Sequence, residues 1–194
     1  MITKTRLLAL IVVVALGVVA CGGDGGTLGT GAGTTAAPAE ETTTSPPAEV
    51  ALTTATFPSG ATVEYPANWT SYGAGASTGS LELAIPQMAN VSLRDAAASE
   101  YLYGGLFTGA DSLEGAWSVM AAMLGVGDLE PETLTSADGR TILHAISPGD
   151  GVEMLLGLIE SGDAYASVFA PSLSGPLSPD AITAILTALA SINP

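Results

Sequence analysis

The stretch Val152-Glu153-Met154-Leu155-Leu156-Gly157-Leu158-Ile159-Glu160 decides the fold. Its length and its turn-forming flanks, Pro148-Gly149-Asp150-Gly151 before it and Ser161-Gly162-Asp163 after it, mark it as a β-strand. Successive strand side chains point to opposite faces of a sheet. Here Val152, Met154, Leu156 and Leu158 fall on one face, and Leu155 and Ile159 on the other. A strand that is apolar on both sides has to be covered on both sides. The expected fold class is therefore α+β, an antiparallel sheet with helices on both faces.

The neighbouring segments supply the rest of the sheet. Thr133 to Ser136, the Asp138-Gly139 turn, Arg140 to Ser147 and Ala164 to Ala170 read as a strand meander around the central run. Nearer the start, Val50 to Phe57 is a β-branched run closed by Pro58-Ser59-Gly60. Ala61 to Tyr65 alternates with Val63 and Tyr65 on one face, and Leu81, Leu83 and Ile85 share a face of a further strand. The segment 71–80 is rich in glycine and serine and has room for a short edge strand.

Three segments read as helical. Ser92-Leu93-Arg94-Asp95 has the form of a capping start, with Ser92 as N-cap, before an alanine-rich stretch that ends at Gly104-Gly105. Asp111-Ser112-Leu113-Glu114 repeats the pattern. Leu113, Ala116, Trp117, Met120, Ala121 and Leu124 then form one stripe, stopped by Gly125. The last helix has Ser178 as cap, Pro179 at the first helical position and Asp180 near the positive dipole end. Leu177 and Ile182 have hydrophobic-staple spacing, and Ile182, Ile185, Leu186 and Leu189 form its apolar stripe.

The first 49 residues are of another kind. Lys4 and Arg6 precede an apolar run from Leu7 to Ala20, and the only cysteine, Cys21, follows at once. A basic start, a short apolar core and small residues before the cut define a secretory signal. The apolar run falls short of the roughly 20 residues that a spanning helix needs. Residues 22–49 are glycine, threonine and proline without periodicity, as in Gly22-Gly23-Asp24-Gly25-Gly26 and Thr42-Thr43-Thr44-Ser45-Pro46-Pro47. Such composition cannot bury a core and reads as a disordered tether with a root-mean-square reach of roughly 30 Å. The expected organisation is a signal peptide at 1–20, Cys21 and the tether at 21–49, and one folded domain at 50–194.

Two resemblances follow from these residues. Val18-Val19-Ala20-Cys21 at the end of the apolar run resembles the lipobox of bacterial lipoproteins. The resemblance implies that the Cys21 thiol receives diacylglycerol and becomes the new N-terminus. Two or three acyl chains then hold the protein on the extracytoplasmic face of a membrane, each buried methylene contributing about 0.8 kcal/mol. The segment Phe57-Pro58-Ser59-Gly60-Ala61-Thr62-Val63-Glu64-Tyr65-Pro66-Ala67-Asn68-Trp69 is similar to the opening of PsbP-like and Mog1-like domains. A helical middle, Asp138-Gly139-Arg140 opening a meander and a final helix ending Leu189-Ala190-Ser191-Ile192 extend the likeness over 50–192, as in LpqN-type lipoproteins. That resemblance implies an α/β/α sandwich and a binding or assembly role in the cell envelope. It brings no catalytic set with it.

Charge narrows the partners. Without residues 1–20 the chain keeps two basic side chains, Arg94 and Arg140, against nineteen carboxylates, a formal charge of −17. A protein that binds nucleic acid needs cations to neutralise phosphates, and this one lacks them. Anionic headgroups would repel it as well. The acidity reads as the dispersing charge of an exported protein.

The remaining motifs carry little chemistry. Gly75-Ala76-Ser77-Thr78-Gly79 matches the nucleophile-elbow pattern, but that elbow needs a helix after the serine, and Leu81 to Ile85 alternates as a strand. Only His144 is available as a base, and it lies mid-strand with Ile142 and Ile146 on its own face. One histidine and one lipidated cysteine exclude the usual zinc sets. Asp128, Glu130 and Glu132 read as an exposed acidic turn around Pro131. Tyr65, Pro66 and Trp69 are explained as strand-end and core residues. No catalytic residue, cofactor or metal is expected. The leading expectation is a lipid-anchored, non-enzymatic binding or assembly module with an envelope protein partner. The alternatives are a weak serine hydrolase using Ser77 and His144, or a small-ligand-binding lipoprotein, for which an apolar pocket near Trp69 and Trp117 would speak.

Overall fold

The apolar run from Glu153 to Glu160 lies inside a seven-stranded sheet. The structure, a computed structural model, describes residues 50–74, 79–107, 109–148 and 152–194. Cys21, the tether, Ser77 and the turn at 149–151 lie outside the described residues.

Twelve elements follow in chain order among them. They are β1 (Leu52–Thr56), β2 (Thr62–Pro66), β3 (Thr70–Ala74), β4 (Ser80–Ile85), β5 (Ala89–Arg94), α1 (Ala96–Tyr103), α2 (Leu113–Met123), β6 (Glu132–Thr135), β7 (Thr141–Pro148), β8 (Glu153–Ser161), β9 (Ala164–Pro171) and α3 (Pro179–Ala190). The fold is mixed α+β. The large sheet has the order β3-β4-β5-β9-β8-β7-β6, with every neighbouring pair antiparallel, and β1 and β2 form a separate hairpin. The chain leaves the sheet after β5, passes through α1 and α2, and re-enters at the opposite edge as β6. It then steps back strand by strand until β9 meets β5.

Alternation along β8 divides the core. Leu155 and Ile159 join a cluster with Ile185, Leu186 and Leu189 of α3, with Val63 and Tyr65 of β2, and with Trp69. Leu156 and Leu158 join a second cluster with Leu113, Ala116, Trp117 and Met120 of α2 and with Tyr103 and Phe107. All four β8 side chains are fully buried, each worth about 1.5–3 kcal/mol relative to exposure. Gly157 lies between them for a steric reason. A Cβ there would stand 2.8 Å from Val168 Cγ1 and 3.0 Å from Leu189 Cδ2, so the absence of a side chain lets α3 approach the sheet.

Two of the helix starts form as the sequence predicts. Ser112 accepts from the Gly115 N–H at 3.1 Å, and Ser178 accepts from the Ala181 N–H at 3.2 Å with Pro179 at the first helical position. Leu177 is buried and Ile182 half-buried in the same cluster.

The third start differs. Ser92 is not a cap but a residue of β5, and its hydroxyl donates to Glu82 Oε1 across the strand pair at 2.8 Å. The cap of α1 is Asp95, whose Oδ1 accepts from the Ala98 N–H at 2.8 Å and whose Oδ2 accepts from the Ser59 hydroxyl. One capping carboxylate thus also pins the β1–β2 turn. The hairpin from β4 into β5 turns at Pro86-Gln87, closed by the Met88 N–H to the Ile85 carbonyl at 3.1 Å, with Gln87 at φ 60°. A non-glycine residue there hides the turn from a reading that looks for glycine.

Candidate functional site: a groove between α3 and the β6–β7 edge

Helix α3 packs on β2, β8 and β9 and shares an apolar cluster with the buried Ile142 of β7, while β6 stays exposed. Two clefts open between α3 and these outer strands. One, of about 350 Å³, is lined by Leu134 of β6, Ile142 of β7 and Leu186, Thr187, Ala190 and Ser191 at the C-terminal end of α3. The other, of about 290 Å³, is lined by Glu130, Glu132, His144, Ile146 and Ile182. Strand register explains why they open on the same face. Leu134 pairs with Ile142 and Glu132 pairs with His144, so these four side chains and Ile146 share one face. Helical spacing does the same for Ile182, Leu186 and Ala190. The result is an apolar trough, floored by β7 and walled by α3.

Its far rim is β6, an edge strand of four residues, all exposed. Leu134 at its centre keeps 42 % of its surface in solvent. An edge strand offers unpaired backbone N–H and C=O groups. The acidic turn is exposed, as expected, and borders one end through Glu130 and Glu132. Trp117 holds that turn from below: buried among the α2 residues, its Nε1 donates to the Leu129 carbonyl at 3.1 Å.

Arg140 closes the other end. Its Nε donates to Asp138 Oδ2 at 2.6 Å, one terminal nitrogen donates to the carbonyls of Glu160 and Ile192 at 3.1 and 3.3 Å, and the other donates to the carbonyl of Ala190. The Ser136 hydroxyl first and the Arg140 guanidinium second hold the Asp138 carboxyl at about 2, below its ordinary 3.8.

Of the two residues of the hydrolase alternative, His144 lies on β7 beside Glu132 and Gly157. Ser77 lies outside the described residues. Trp69 is buried and stacked on Tyr65 with ring centroids 6.4 Å apart. Trp69 and Trp117 belong to different clusters, and the cleft that Trp117 borders with Glu114 and Asp128 is not lined by Trp69. Among the described residues no group of three or more His, Cys, Asp or Glu is placed to hold a metal ion.

A second polar cluster is sealed beneath α1. Glu82 Oε1 accepts from the Ser80 and Ser92 hydroxyls at 2.7 and 2.8 Å, and Ser99 and Ser167 are hydrogen-bonded at 3.0 Å. Burial raises the Tyr103 hydroxyl pKa, opposed by Arg94 and Ser167. The serine hydroxyls are hydrogen-bonded there, whereas the buried Nε of Arg94 has no hydrogen-bond partner among the described residues.

No protein-family model matches the chain, and a search of curated proteins finds no relative. Among the described residues no helix is long and apolar enough to cross a membrane.

Proposed function

We propose that the protein is an exported lipoprotein, anchored through Cys21 on the extracytoplasmic face of a bacterial membrane, whose folded domain is a non-enzymatic binding or assembly module of the cell envelope. The domain is proposed as an α/β/α sandwich of the PsbP-like and Mog1-like kind. The split of β8 side chains between an α3 cluster and an α2 cluster supports that layering. The membrane anchor rests on the lipobox-like Val18-Val19-Ala20-Cys21.

The observation that carries the binding role is the groove: an apolar floor, an open strand edge and a carboxylate rim left bare by the position of α3. Binding sites have this composition, mostly apolar with a few placed polar groups. Nineteen carboxylates against Arg94 and Arg140 as the only basic side chains after Cys21 disfavour nucleic acid as the occupant.

Intact mass of the protein from its native membrane tests the anchor. The expected mature chain starts at an acylated Cys21, and Cys21→Ala moves the protein out of the membrane fraction. A mature chain with an unmodified Cys21, or a Cys21→Ala variant that stays in the membrane, contradicts it.

A further inference from the structure

We infer that the groove takes an extended, basic and apolar segment of a partner protein, which adds as a strand to the edge of β6. The inference rests on the proposed binding role of the groove and names its occupant. Three observations select that occupant over the other chemistries the trough could hold.

The first is the edge. Thr133, Leu134 and Thr135 are all exposed along the outermost strand of the sheet. Alternate residues of this strand turn N–H and C=O outward to water, and a peptide backbone laid alongside pairs with them, which a hydrocarbon chain cannot do.

The second is charge. Glu130 and Glu132 border one end of the trough and Asp138 the other. Arg140 is the sole cation among these lining and neighbouring groups, and it is engaged with Asp138 and three carbonyls. A second copy of this chain is therefore the wrong partner. Two β6 edges meeting around a two-fold axis would bring together two strongly acidic domains that repel. The carboxylates that close the edge to self-association open it to a cationic strand.

The third is spacing. Leu134 and Glu132 are two residues apart on one face of β6, with Leu134 over Ile142 and Leu186 and Glu132 beside His144. A strand laid against this edge presents every second side chain on the groove side. The matching segment carries an apolar residue where it passes Leu134 and a Lys or Arg two positions away, where it passes Glu132.

A random octapeptide library displayed on phage and selected on the immobilised full chain tests this without presuming a sequence. Enriched peptides are expected to carry Lys or Arg two positions from an aliphatic or aromatic residue. Their binding should weaken about tenfold in the Glu130→Gln/Glu132→Gln variant and fall several-fold between low and moderate salt. Bound peptide should also slow amide exchange at Thr133 and Thr135. Leu134→Glu separates the two claims. If binding is lost in Leu134→Glu but the peptides are acidic or uncharged, or β6 amides gain no protection, the groove stands as a site and the basic-strand occupant is overturned. If binding is unchanged in Leu134→Glu, the groove itself is not the site and both readings fail. An absence of enrichment counts against the occupant. Thermal melting of each variant confirms that it folds.

Discussion

Arg140 donates from its guanidinium to the carbonyl of Ala190, so the residue just before β7 caps the end of α3. The helix has no basic residue in its own last turn, and its exposed carbonyls carry partial negative charge. A cation from fifty residues earlier in the chain supplies what the helix lacks. The same side chain also reaches Ile192 and Glu160, and so joins a turn, a strand end and a helix end at the rim of the groove.

Arg140→Ala is accordingly expected to destabilise the fold by about 2 kcal/mol, as loss of charge-assisted hydrogen bonds to several carbonyls does. Arg140→Lys should recover only part of it, because an ammonium cannot reproduce the planar fork. Denaturant unfolding of the purified protein measures both. Equal stability of the Lys variant and the parent would show that point charge alone suffices.

Asp138 gives the arrangement a pH dependence. Its pKa is depressed in the folded state to about 2, so the folded state holds its proton less tightly than the unfolded chain does. The stabilisation is full above the ordinary carboxyl value and is lost as pH falls from about 4 toward 2. Melting temperature should therefore drop in that window, and Asp138→Asn should flatten its share of the drop. A variant curve parallel to the parent curve would assign the loss to other carboxylates.

Gly157→Ala is expected to cost about 1–3 kcal/mol, the usual penalty for overpacking. The added Cβ would meet Val168 at 2.8 Å and Leu189 at 3.0 Å, and Leu186 at 3.3 Å. Because Leu186 also lines the groove, the same change should alter any ligand affinity measured there. Chemical denaturation reads the first effect. An unchanged midpoint would mean that α3 shifts freely over the sheet.

Trp117→Phe keeps most of the ring volume and removes the Nε1 donor to Leu129. The expected cost is about 1 kcal/mol, with faster amide exchange concentrated between 125 and 131. Exchange that is unchanged in that loop would show that the acidic turn is held by its packing alone.

Much of the fold is legible in short windows of sequence, because the signals there are local. The apolar-on-both-faces run of β8, the Ser112 and Ser178 caps and the Asp138-Gly139 turn depend on neighbours within a few residues. Strand β5 is not legible in that way. Ser92-Leu93-Arg94-Asp95 has the form of a cap, and only Glu82 on the adjacent strand, which takes the Ser92 hydroxyl, shows that the helix starts three residues later. The Pro86-Gln87 turn before β5 lacks the glycine that would announce it. The groove escapes for a stronger reason. His144, Glu130 and Glu132 are each readable as single residues, but the trough they border exists because α3 sits over β8 and β9 and stops short of β6. The close approach of α3 to the sheet depends on Gly157, two strands further along the chain than β6.

The central claim is that a membrane-held domain binds through this groove. A photo-crosslinking residue placed at Leu134 in the full chain, in the native membrane, tests it most directly, with the exposed Asn90 of β5 as the comparison position. A discrete adduct is expected from position 134, none from position 90, and loss of the adduct when Cys21→Ala releases the protein. Equal labelling from both positions, or none from 134, would contradict it.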